Sequence, residues 1–308
     1  MQKLDIHMHT TYSDGSDTVA ELLKQAQQLG LVLLSITDHN NVDAHVEIST
    51  HDYATIFSGK IVKGVEIYSY YKGKVVEFLV YDYDLNKMKA FLDDTYNQSW
   101  NKNRIDTVLA KLKAAATKKG VVFDQNFTIE TVGECAQFFK HMRARPENEK
   151  FFAPSVWSGE KTFFRKEVCD PNSPWYVDYG EFYIKPKQLI KAVHEMEGKI
   201  FLAHPFEYKF SQEVNIEFWN LLIEYGMDGI EAYYPKFEKE EIEQILTFAK
   251  QNHLKVCGGS DYHGHNRANK LGHITKKIEV DYQNYAWLDQ TNNINKEGDE
   301  KCISSPIL

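Results

Sequence analysis

Apolar and polar residues follow distinct patterns along the first forty positions of the chain. Over residues 3–9 they alternate one by one, which predicts a strand. Over residues 19–29 the apolar positions recur at helical spacing, and Thr18 with Glu21 has the signature of a capping box at the start of that helix. Residues 31–37 form a near-continuous apolar run, which is typical of a strand buried on both faces. This part of the chain therefore predicts a strand–helix–strand unit.

Short apolar strands and amphipathic helices alternate again in two later parts of the chain. The predicted strands are 60–67, 75–81, 200–203, 229–232 and 255–258. The predicted helices are 187–197, 218–225 and 238–252. Because strands interleaved with helices form parallel sheets or barrels, the sequence predicts an α/β fold.

Residues 86–184 interrupt this alternation. They begin with one or two predicted helices, and residues 141–180 are aromatic and contain prolines but show little periodicity. We expect an inserted, mainly helical cap subdomain over 86–184 and a barrel domain formed by 1–85 and 185–283. The polar and unpatterned residues 284–308 are expected to form a loosely held tail.

The composition is that of an ordinary globular chain, with 308 residues of which 26% are charged and 43% hydrophobic. No run approaches the ~20 apolar residues of a membrane span, and the first residues contain no apolar signal region. We therefore expect a cytoplasmic protein with no membrane partner. The four cysteines are scattered without a CxxC pair, which favours reduced thiols.

An excess of acids gives the chain a formal net charge of −8. Such a chain has no global attraction for a polyphosphate backbone, so a long nucleic acid is not expected as a partner. A small phosphorylated ligand that is held by local cations remains compatible with this charge. The sequence does not predict the oligomeric state.

Side chains of the metal-ligand type collect where the predicted strands end. His7 and His9 close the first strand and point to the same face of it, so both imidazoles can reach one cation. Further residues at such positions are His39, Glu66, His204, Asp261 and His263. Sites in α/β scaffolds collect at these strand ends, and imidazole nitrogen with carboxylate oxygen suits zinc and other first-row divalent ions. The alternative, a pair of surface histidines on an edge strand, does not account for the additional residues.

Six short motifs carry a resemblance to a known family. They are His7-Met8-His9-Thr10, Ser13-Asp14-Gly15, Thr37-Asp38-His39, Gly64-Val65-Glu66-Ile67, Ala203-His204-Pro205 and Gly259-Ser260-Asp261-Tyr262-His263-Gly264. In this order they resemble the motifs of the PHP family (polymerase and histidinol phosphatase). The insertion before Ala203-His204-Pro205 and the segment Gly229-Ile230-Glu231-Ala232 resemble its nucleotide-hydrolysing branch. The resemblance implies a distorted seven-stranded (β/α) barrel with two to three divalent metal ions at the carboxyl ends of its strands.

The resemblance also implies how the ligands are shared among the ions. One ion would take His7, His9, Glu66 and Asp261. Glu66 would bridge to a second ion, which His204 also binds. A third ion would take Asp14, His39 and His263.

Glu77 stands where the family usually has histidine. A glutamate oxygen is a harder and charged donor, so Glu77 as a ligand would favour manganese, iron or magnesium over zinc at this position. The alternatives are that the second ion binds weakly or is absent, or that Glu77 faces solvent in an edge hairpin.

Two arginines that commonly bind phosphate in this branch of the family are missing. Phe206 follows the His204-Pro205 motif, and Glu134 stands at the aligned position in the insertion. Cations that could substitute for them are Arg104, Arg143, Arg145 and Lys209, which the sequence does not rank.

The activity that the resemblance implies is hydrolysis of a small phosphomonoester, such as a nucleotide or a similar metabolite. A metal-bound hydroxide would be the nucleophile, so no catalytic side chain beyond the metal ligands is expected. Three divalent ions would exceed the charge of the ligating carboxylates, which makes an anion site within an acidic chain. The alternatives are a non-catalytic metal-binding PHP module and a metal-dependent amidohydrolase.

Overall fold

The computed structural model describes residues 3–131, 133–265 and 267–294. The chain divides into two compact units. The first unit comprises the described residues up to Ser69, Val76–Leu92, and those from Lys185 onward. The second unit comprises Tyr70–Val75 and Asp93–Ile184. No helix of these described residues has the length and apolar character that crossing a membrane requires.

Eight strands lie within the described part of the chain. They are β1 (Lys3–Asp5), β2 (Leu31–Leu34), β3 (Lys60–Ile61), β4 (Gly64–Tyr71), β5 (Lys74–Tyr81), β6 (Lys199–Leu202), β7 (Gly229–Tyr233) and β8 (Lys255–Gly258). The helices are α1 (Val19–Leu29), α2 (Asp43–Thr50), α3 (Leu85–Thr95), α4 (Gln98–Lys119), α5 (Glu134–Arg143), α6 (Pro154–Trp157), α7 (Glu160–Phe163), α8 (Pro186–Glu195), α9 (Gln212–Glu224) and α10 (Lys239–Gln251). Short 3₁₀ segments cover Pro146–Phe151, Tyr179–Glu181 and Tyr282–Gln290, and a π-helical turn covers Phe164–Val168.

The strands form one sheet of three, in the order β1-β2-β3, and one sheet of five, in the order β4-β5-β6-β7-β8. Most of the pairs are parallel, but β5 pairs with β6 in the antiparallel sense. Two isolated parallel bridges, Met8 with Tyr262 and His39 with Glu66, join residues of the two sheets. The α/β class is thus confirmed, while one continuous seven-stranded barrel is not what these hydrogen bonds describe.

Helix α1 begins with the capping box that the sequence predicts. The Glu21 N–H donates to Oγ1 of Thr18 at 3.3 Å, and the Thr18 N–H donates to Oε2 of Glu21 at 2.9 Å. Gly30 ends the helix with a φ of 70°, a left-handed conformation that glycine adopts without steric cost. The buried face of the helix consists of Val19, Leu22, Leu23 and Ala26, which pack in the core of the first unit. Such caps stabilise a helix by about 1 kcal/mol.

The second unit has an aromatic core of its own. Phe139 and Phe163 stack with ring centroids 4.2 Å apart, and Trp175 packs edge-on against Phe163 at 5.4 Å. The helices α4 and α5 contribute the aliphatic and aromatic residues around them. This packing explains why the segment that shows little periodicity in the sequence is nevertheless compact: aromatic side chains from short helical turns fill its interior.

The expectation of a loose tail from residue 284 onward is wrong for the residues that the structure describes. Tyr285, Trp287 and Leu288 are buried in the first unit. The indole N–H of Trp287 donates to the Val256 carbonyl at 2.9 Å. Large aromatic surfaces hold this segment although it has no helical or strand periodicity. The rest of the predicted tail, 295–308, lies outside the described residues.

Candidate metal centre

All nine predicted ligands come together in the first unit. His7 and His9 follow β1, His39 follows β2, Glu66 lies in β4, Glu77 in β5, His204 follows β6, and Asp261 and His263 follow β8. Asp14 lies in the loop between β1 and α1. The residues that follow β1, β2, β6 and β8 lie at strand ends as expected. The predicted strand 60–67 is instead divided into β3 and β4, so Glu66 lies near the start of β4, and Glu77 lies within β5.

Glu66 is at the centre of this cluster. Its Oε2 lies 3.3 Å from Nε2 of both His7 and His9, and 3.2 Å from Nδ1 of His39. Its Oε1 lies 2.9 Å from Nε2 of His204. One buried carboxylate therefore faces four imidazoles.

Two aspartates extend the cluster on the side of His263. Asp261 places Oδ1 3.4 Å from Nε2 of His9 and 3.4 Å from Nδ1 of His263. Asp14 places Oδ1 3.2 Å from Nε2 of His263 and 3.6 Å from Nε2 of His39. His9, Asp14, His39 and His263 thus form one group whose ligand atoms lie within 4.8 Å of one another.

Glu77 faces the cluster from β5. Its Oε2 lies 3.4 Å from Nε2 of His204, and its side chain is 22% exposed. With His39 and Glu66 it forms another group of possible ligands within 4.8 Å. Glu77 therefore does not point into open solvent, although its role as a ligand stays a prediction.

Several buried ligand atoms have no hydrogen-bond partner. Among the described residues these atoms include Nε2 of His7, Nε2 of His9, Nδ1 of His39 and Oε2 of Glu66. Buried polar atoms are normally hydrogen-bonded, and leaving one unsatisfied costs about 1–3 kcal/mol. The three nitrogens lie 3.2–3.3 Å from Oε2 of Glu66, so all four atoms face one point. A divalent cation between them would satisfy all four, so the residues fit a metal.

The pKa values of the cluster follow from opposing effects. Burial disfavours a charge on His9, but the carboxylates of Asp261 and Glu66 outweigh it and raise the pKa of His9 to about 9. Burial lowers the pKa of His39 to about 3. Burial and the charge of Glu66 raise the pKa of Glu77 to about 7. Since metal ligands must be deprotonated, a cation bound here takes the place of protons that the metal-free cluster holds.

The loop that presents Asp14 is fixed by Asp38. The Thr10 N–H and hydroxyl donate to Oδ1 and Oδ2 of Asp38 at 2.7 and 2.6 Å. The Ser13 hydroxyl donates to Oδ1 at 2.5 Å. Asp38 therefore organises the turn that follows His9, which explains its place beside His39 in the sequence.

The backbone at Gly259, two residues before Asp261, lies so close to His7 that a larger residue does not fit. A Cβ on Gly259 would lie 2.4 Å from both the Cβ and the backbone nitrogen of His7. Asp261 itself has a φ of 51° and His204 a φ of 21°, values that cost non-glycine residues on the order of 1–3 kcal/mol. Such strain collects at functional sites, where it aims particular side chains.

Sequence reasoning missed Glu231, which lies in β7. Its Oε1 is 2.9 Å from Nδ1 of His7, and its Oε2 accepts the backbone N–H of His204 at 2.7 Å. Both Glu231 and His7 are fully buried. The available signal was a lone acid in the otherwise apolar strand Gly229–Tyr233.

The four cations expected to replace the missing arginines have other partners. Arg104 pairs with Glu134, and Arg143 with Glu160, within the second unit. Arg145 donates to the carbonyl of His141, also in that unit. Lys209 lies 3.3 Å from Glu207 in the first unit. None of these four described cations lies among the ligand contacts given above for the metal cluster.

Comparisons with known proteins indicate which proteins this chain resembles. Residues 5–146 match the PHP domain. The phosphoribosyl 1,2-cyclic phosphate 1,2-diphosphodiesterase of Eggerthella lenta is 24% identical over 271 residues, which cover 84% of this chain and 94% of that protein. The 5′-3′ exoribonuclease Rnm of Escherichia coli is 24% identical over 266 residues, which cover 84% of each.

Solved structures share the fold. A chain from Bifidobacterium adolescentis that is assigned as a metal-dependent phosphoesterase has a TM-score of 0.62 at 22% identity, over 95% of this chain and 97% of that one. An amidohydrolase from Chromobacterium violaceum, solved with bound sulfate and no metal, has a TM-score of 0.61 at 20% identity, over 90% of this chain and 94% of that one.

The domain match and the relatives thus identify a metal-dependent phosphoesterase. Residues 5–146 carry a PHP domain, which confirms the resemblance seen in the sequence. The expectation that long nucleic acid is excluded as a partner is not supported, because relatives from Escherichia coli and Salmonella typhimurium are exoribonucleases.

Proposed function

We propose that this protein hydrolyses a small phosphomonoester, such as a nucleotide or a similar phosphorylated metabolite, with two to three divalent ions as cofactors. The observation that carries the proposal is the set of four unsatisfied buried atoms on His7, His9, His39 and Glu66. Because their donor chemistry is that of imidazole and carboxylate, manganese, iron and zinc are the candidate metals, and magnesium suits the oxygen-rich side.

The ligand groups suggest how the ions are held. In our proposal His7, His9, Glu66 and Asp261 hold one ion. Glu66, Glu77 and His204 hold a second. Asp14, His39 and His263 hold a third.

The chain's own residues prepare the site for a phosphate. Bound divalent ions supply Lewis acidity toward phosphoryl oxygens and lower the pKa of bound water. Once Nε2 of His7 has lost its proton, the Glu231 carboxylate accepts the N–H at Nδ1 of His7 and leaves the lone pair of Nε2 for an ion. The carboxylates of Asp14, Glu66, Glu77 and Asp261 neutralise only part of the charge of three divalent ions. The remaining positive charge attracts a phosphate dianion to an acidic protein.

The finer structural expectations belong to the same proposal. We assign the PHP barrel to residues 1–85 and 185–283, and an inserted cap to residues 86–184. The bridges of Met8 with Tyr262 and of His39 with Glu66 support a distorted seven-stranded arrangement, because each joins the end of one sheet to the other.

A single preparation tests the proposal. Elemental analysis of protein purified without chelator should give at least one transition metal per chain, and the same sample should release phosphate from nucleoside monophosphates. The panel also includes a cyclic ribose phosphate and 5′-phosphorylated RNA, which the relatives' activities suggest. Metal without turnover of any phosphoester would indicate a non-catalytic module. Turnover of amides alone would indicate an amidohydrolase.

A further inference from the structure

Two adjoining depressions in the first unit lead away from the metal centre. One, of about 280 Å³, is lined by Asp261 and His263 on one side and by Lys236, Arg267 and Asn269 on the other. The second, of about 290 Å³, shares Lys236 and Asn269 with the first. It continues past Lys270, Lys276 and Lys277. The depression beside Asp261 and His263 is thus continuous with a second depression that no predicted ligand lines.

The charge of this surface is opposite to that of the chain. Five cations line the two depressions, against one carboxylate, that of Asp261. The chain as a whole has a net charge of −8. Lys277 is paired with Glu238 at 2.7 Å, and Nζ of Lys236 lies 3.5 Å from Oε2 of Glu207. Lys270 and Lys276 are exposed and have no ion pair with any residue that the structure describes. We call the surface formed by Lys236, Arg267, Asn269, Lys270 and Lys276 the basic groove.

Lys236 is tied to the metal centre through one buried tyrosine. The hydroxyl of Tyr234 donates to Oδ2 of Asp261 at 2.8 Å, and Nζ of Lys236 donates to the same hydroxyl at 3.0 Å. Asn269 approaches from the other side, and its Nδ2 donates to the Asp261 carbonyl at 3.1 Å. The ammonium of Lys236, which lines both depressions, is therefore held at a fixed position relative to Asp261, a predicted ligand.

Arg267 lies on the other side of the opening. Its NH2 donates to Oδ2 of Asp14 at 2.5 Å, and the side chain is half exposed. A guanidinium has five N–H donors in a planar fork, so a single bond to Asp14 leaves most of them for another anion. The groove therefore offers two fixed cations beside the metal centre and further cations beyond it.

We propose that the basic groove binds a second anionic group of the substrate while the first phosphate occupies the metal centre, with Lys236 as the principal contact. The inference rests on the proposed function. It assigns the phosphate-binding role that Arg104, Arg143, Arg145 and Lys209 do not fill. The substrate class is an ester with a phosphate at the metal centre and another phosphate or carboxylate on the same molecule.

Binding of non-hydrolysable probes to the metal-loaded full chain tests this assignment. Propane-1,3-diphosphonate has two anionic groups and propylphosphonate has one, and neither contains an ester bond. Calorimetry should show that the wild type prefers the diphosphonate by at least about tenfold, the scale of a hydrogen bond to a charged group. Lys236→Met should abolish most of this preference and leave the metal content unchanged. Lys236→Arg should keep most of it.

Lys239→Met is the matched control, because Lys239 is an exposed lysine of α10 that pairs with Glu243 and does not line the groove. In Lys239→Met the ratio of the affinity for propane-1,3-diphosphonate to that for propylphosphonate should equal the wild-type ratio. Equal ratios in the wild type, Lys236→Met and Lys239→Met would overturn the groove assignment even if the protein hydrolyses phosphomonoesters. A protein that keeps the Lys236-dependent ratio but hydrolyses no phosphoester would support the groove and overturn the proposed function instead.

Discussion

Nδ1 of His7 lies 2.9 Å from Oε1 of Glu231, and both side chains are fully buried. A neutral imidazole has one N–H, and a carboxylate can only accept. The proton of a neutral His7 is therefore held on Nδ1, which leaves the lone pair of Nε2 directed at Glu66. The same carboxylate accepts the backbone N–H of His204, so one residue orients ligands from two strand ends.

Replacing Glu231 should weaken metal binding without removing a predicted ligand. Glu231→Gln retains one amide oxygen for two donors, so either the His7 ring or the His204 backbone loses its partner. Because such outer contacts usually change metal affinity by about 10–100-fold, we expect a loss in that range. Competition with a chromophoric chelator measures it.

Glu134→Gln is the control for this experiment. It also neutralises a buried carboxylate, but one that pairs with Arg104 in the second unit. We expect it to lower stability and to leave metal affinity unchanged. Unchanged metal affinity in Glu231→Gln would show that Glu231 does not orient His7.

Glu66→Gln should have a larger effect than Glu231→Gln. Glu66 alone faces four imidazoles, so its loss removes the carboxylate that two of the proposed ions share. We expect loss of most bound metal, more than the ~10–100-fold weakening typical of outer contacts, and loss of phosphate release. Elemental analysis and circular dichroism on one sample check this, with Asp228→Asn, outside the cluster, as the control. A folded variant with full metal content would contradict the central role of Glu66.

His45 makes the stability of the first unit sensitive to acid. Nε2 of His45 lies 2.9 Å from the Gly64 nitrogen and 2.8 Å from the Ile36 carbonyl oxygen, and burial lowers the pKa of His45 below its ordinary value of 6.5. The unfolded chain therefore binds a proton that the folded chain does not. The contribution of His45 to stability is complete above about pH 6.5 and declines as the pH falls below it, by at most about 1.4 kcal/mol per pH unit.

His45→Gln should flatten this dependence, because an amide accepts from Gly64 without titrating. Urea unfolding at pH 5.0 and pH 7.5, with chelator present throughout, compares the variant with wild type. The stability difference between the two proteins should shrink on acidification. His51→Gln, at an exposed position, should parallel the wild type. A difference that stays constant or grows at pH 5.0 would rule out this role of His45.

The sequence predicted that these ligand-type side chains lie together because several of them obey a simple rule of topology. Strand ends in an α/β fold meet at one edge, so His7, His39 and His204 are brought together whatever the details of the sheets. The hydrophobic pattern also located the strands and the capped helix α1. What it did not show was the reversal between β5 and β6, since an apolar strand has the same pattern in either direction.

The residues that sequence reasoning missed depend on tertiary contacts. Glu231 is one acid within an apolar strand, and only its approach to His7 shows its role. Lys236 and Arg267 lie in loops after β7 and β8, where no periodicity relates them. Trp287 is buried because it reaches the Val256 carbonyl, a contact 31 residues away in the chain.

Glu77 provides the test of metal preference, because its Oε2 lies 3.4 Å from Nε2 of His204. If it is a ligand, its charged oxygen should make manganese support more activity than zinc. Glu77→His supplies the nitrogen donor and should shift the preference toward zinc. Glu77→Gln keeps the size of the side chain but removes the charge, so it should weaken metal binding.

Rates of phosphate release with manganese and with zinc, measured for the wild type, Glu77→His and Glu77→Gln, decide the role of Glu77. Glu195→Gln is the control, since Glu195 is an exposed acid of α8 in the same unit that pairs with Lys191 and is not among the candidate ligands. We expect its ratio of manganese to zinc activity to match the wild type. If Glu77 acted only through its charge at long range, Glu77→His and Glu77→Gln would change the ratio of manganese to zinc activity equally. A shift of this ratio toward zinc in Glu77→His alone therefore indicates that Glu77 ligates the metal directly. Identical ratios in all four proteins would show that Glu77 does not ligate the metal.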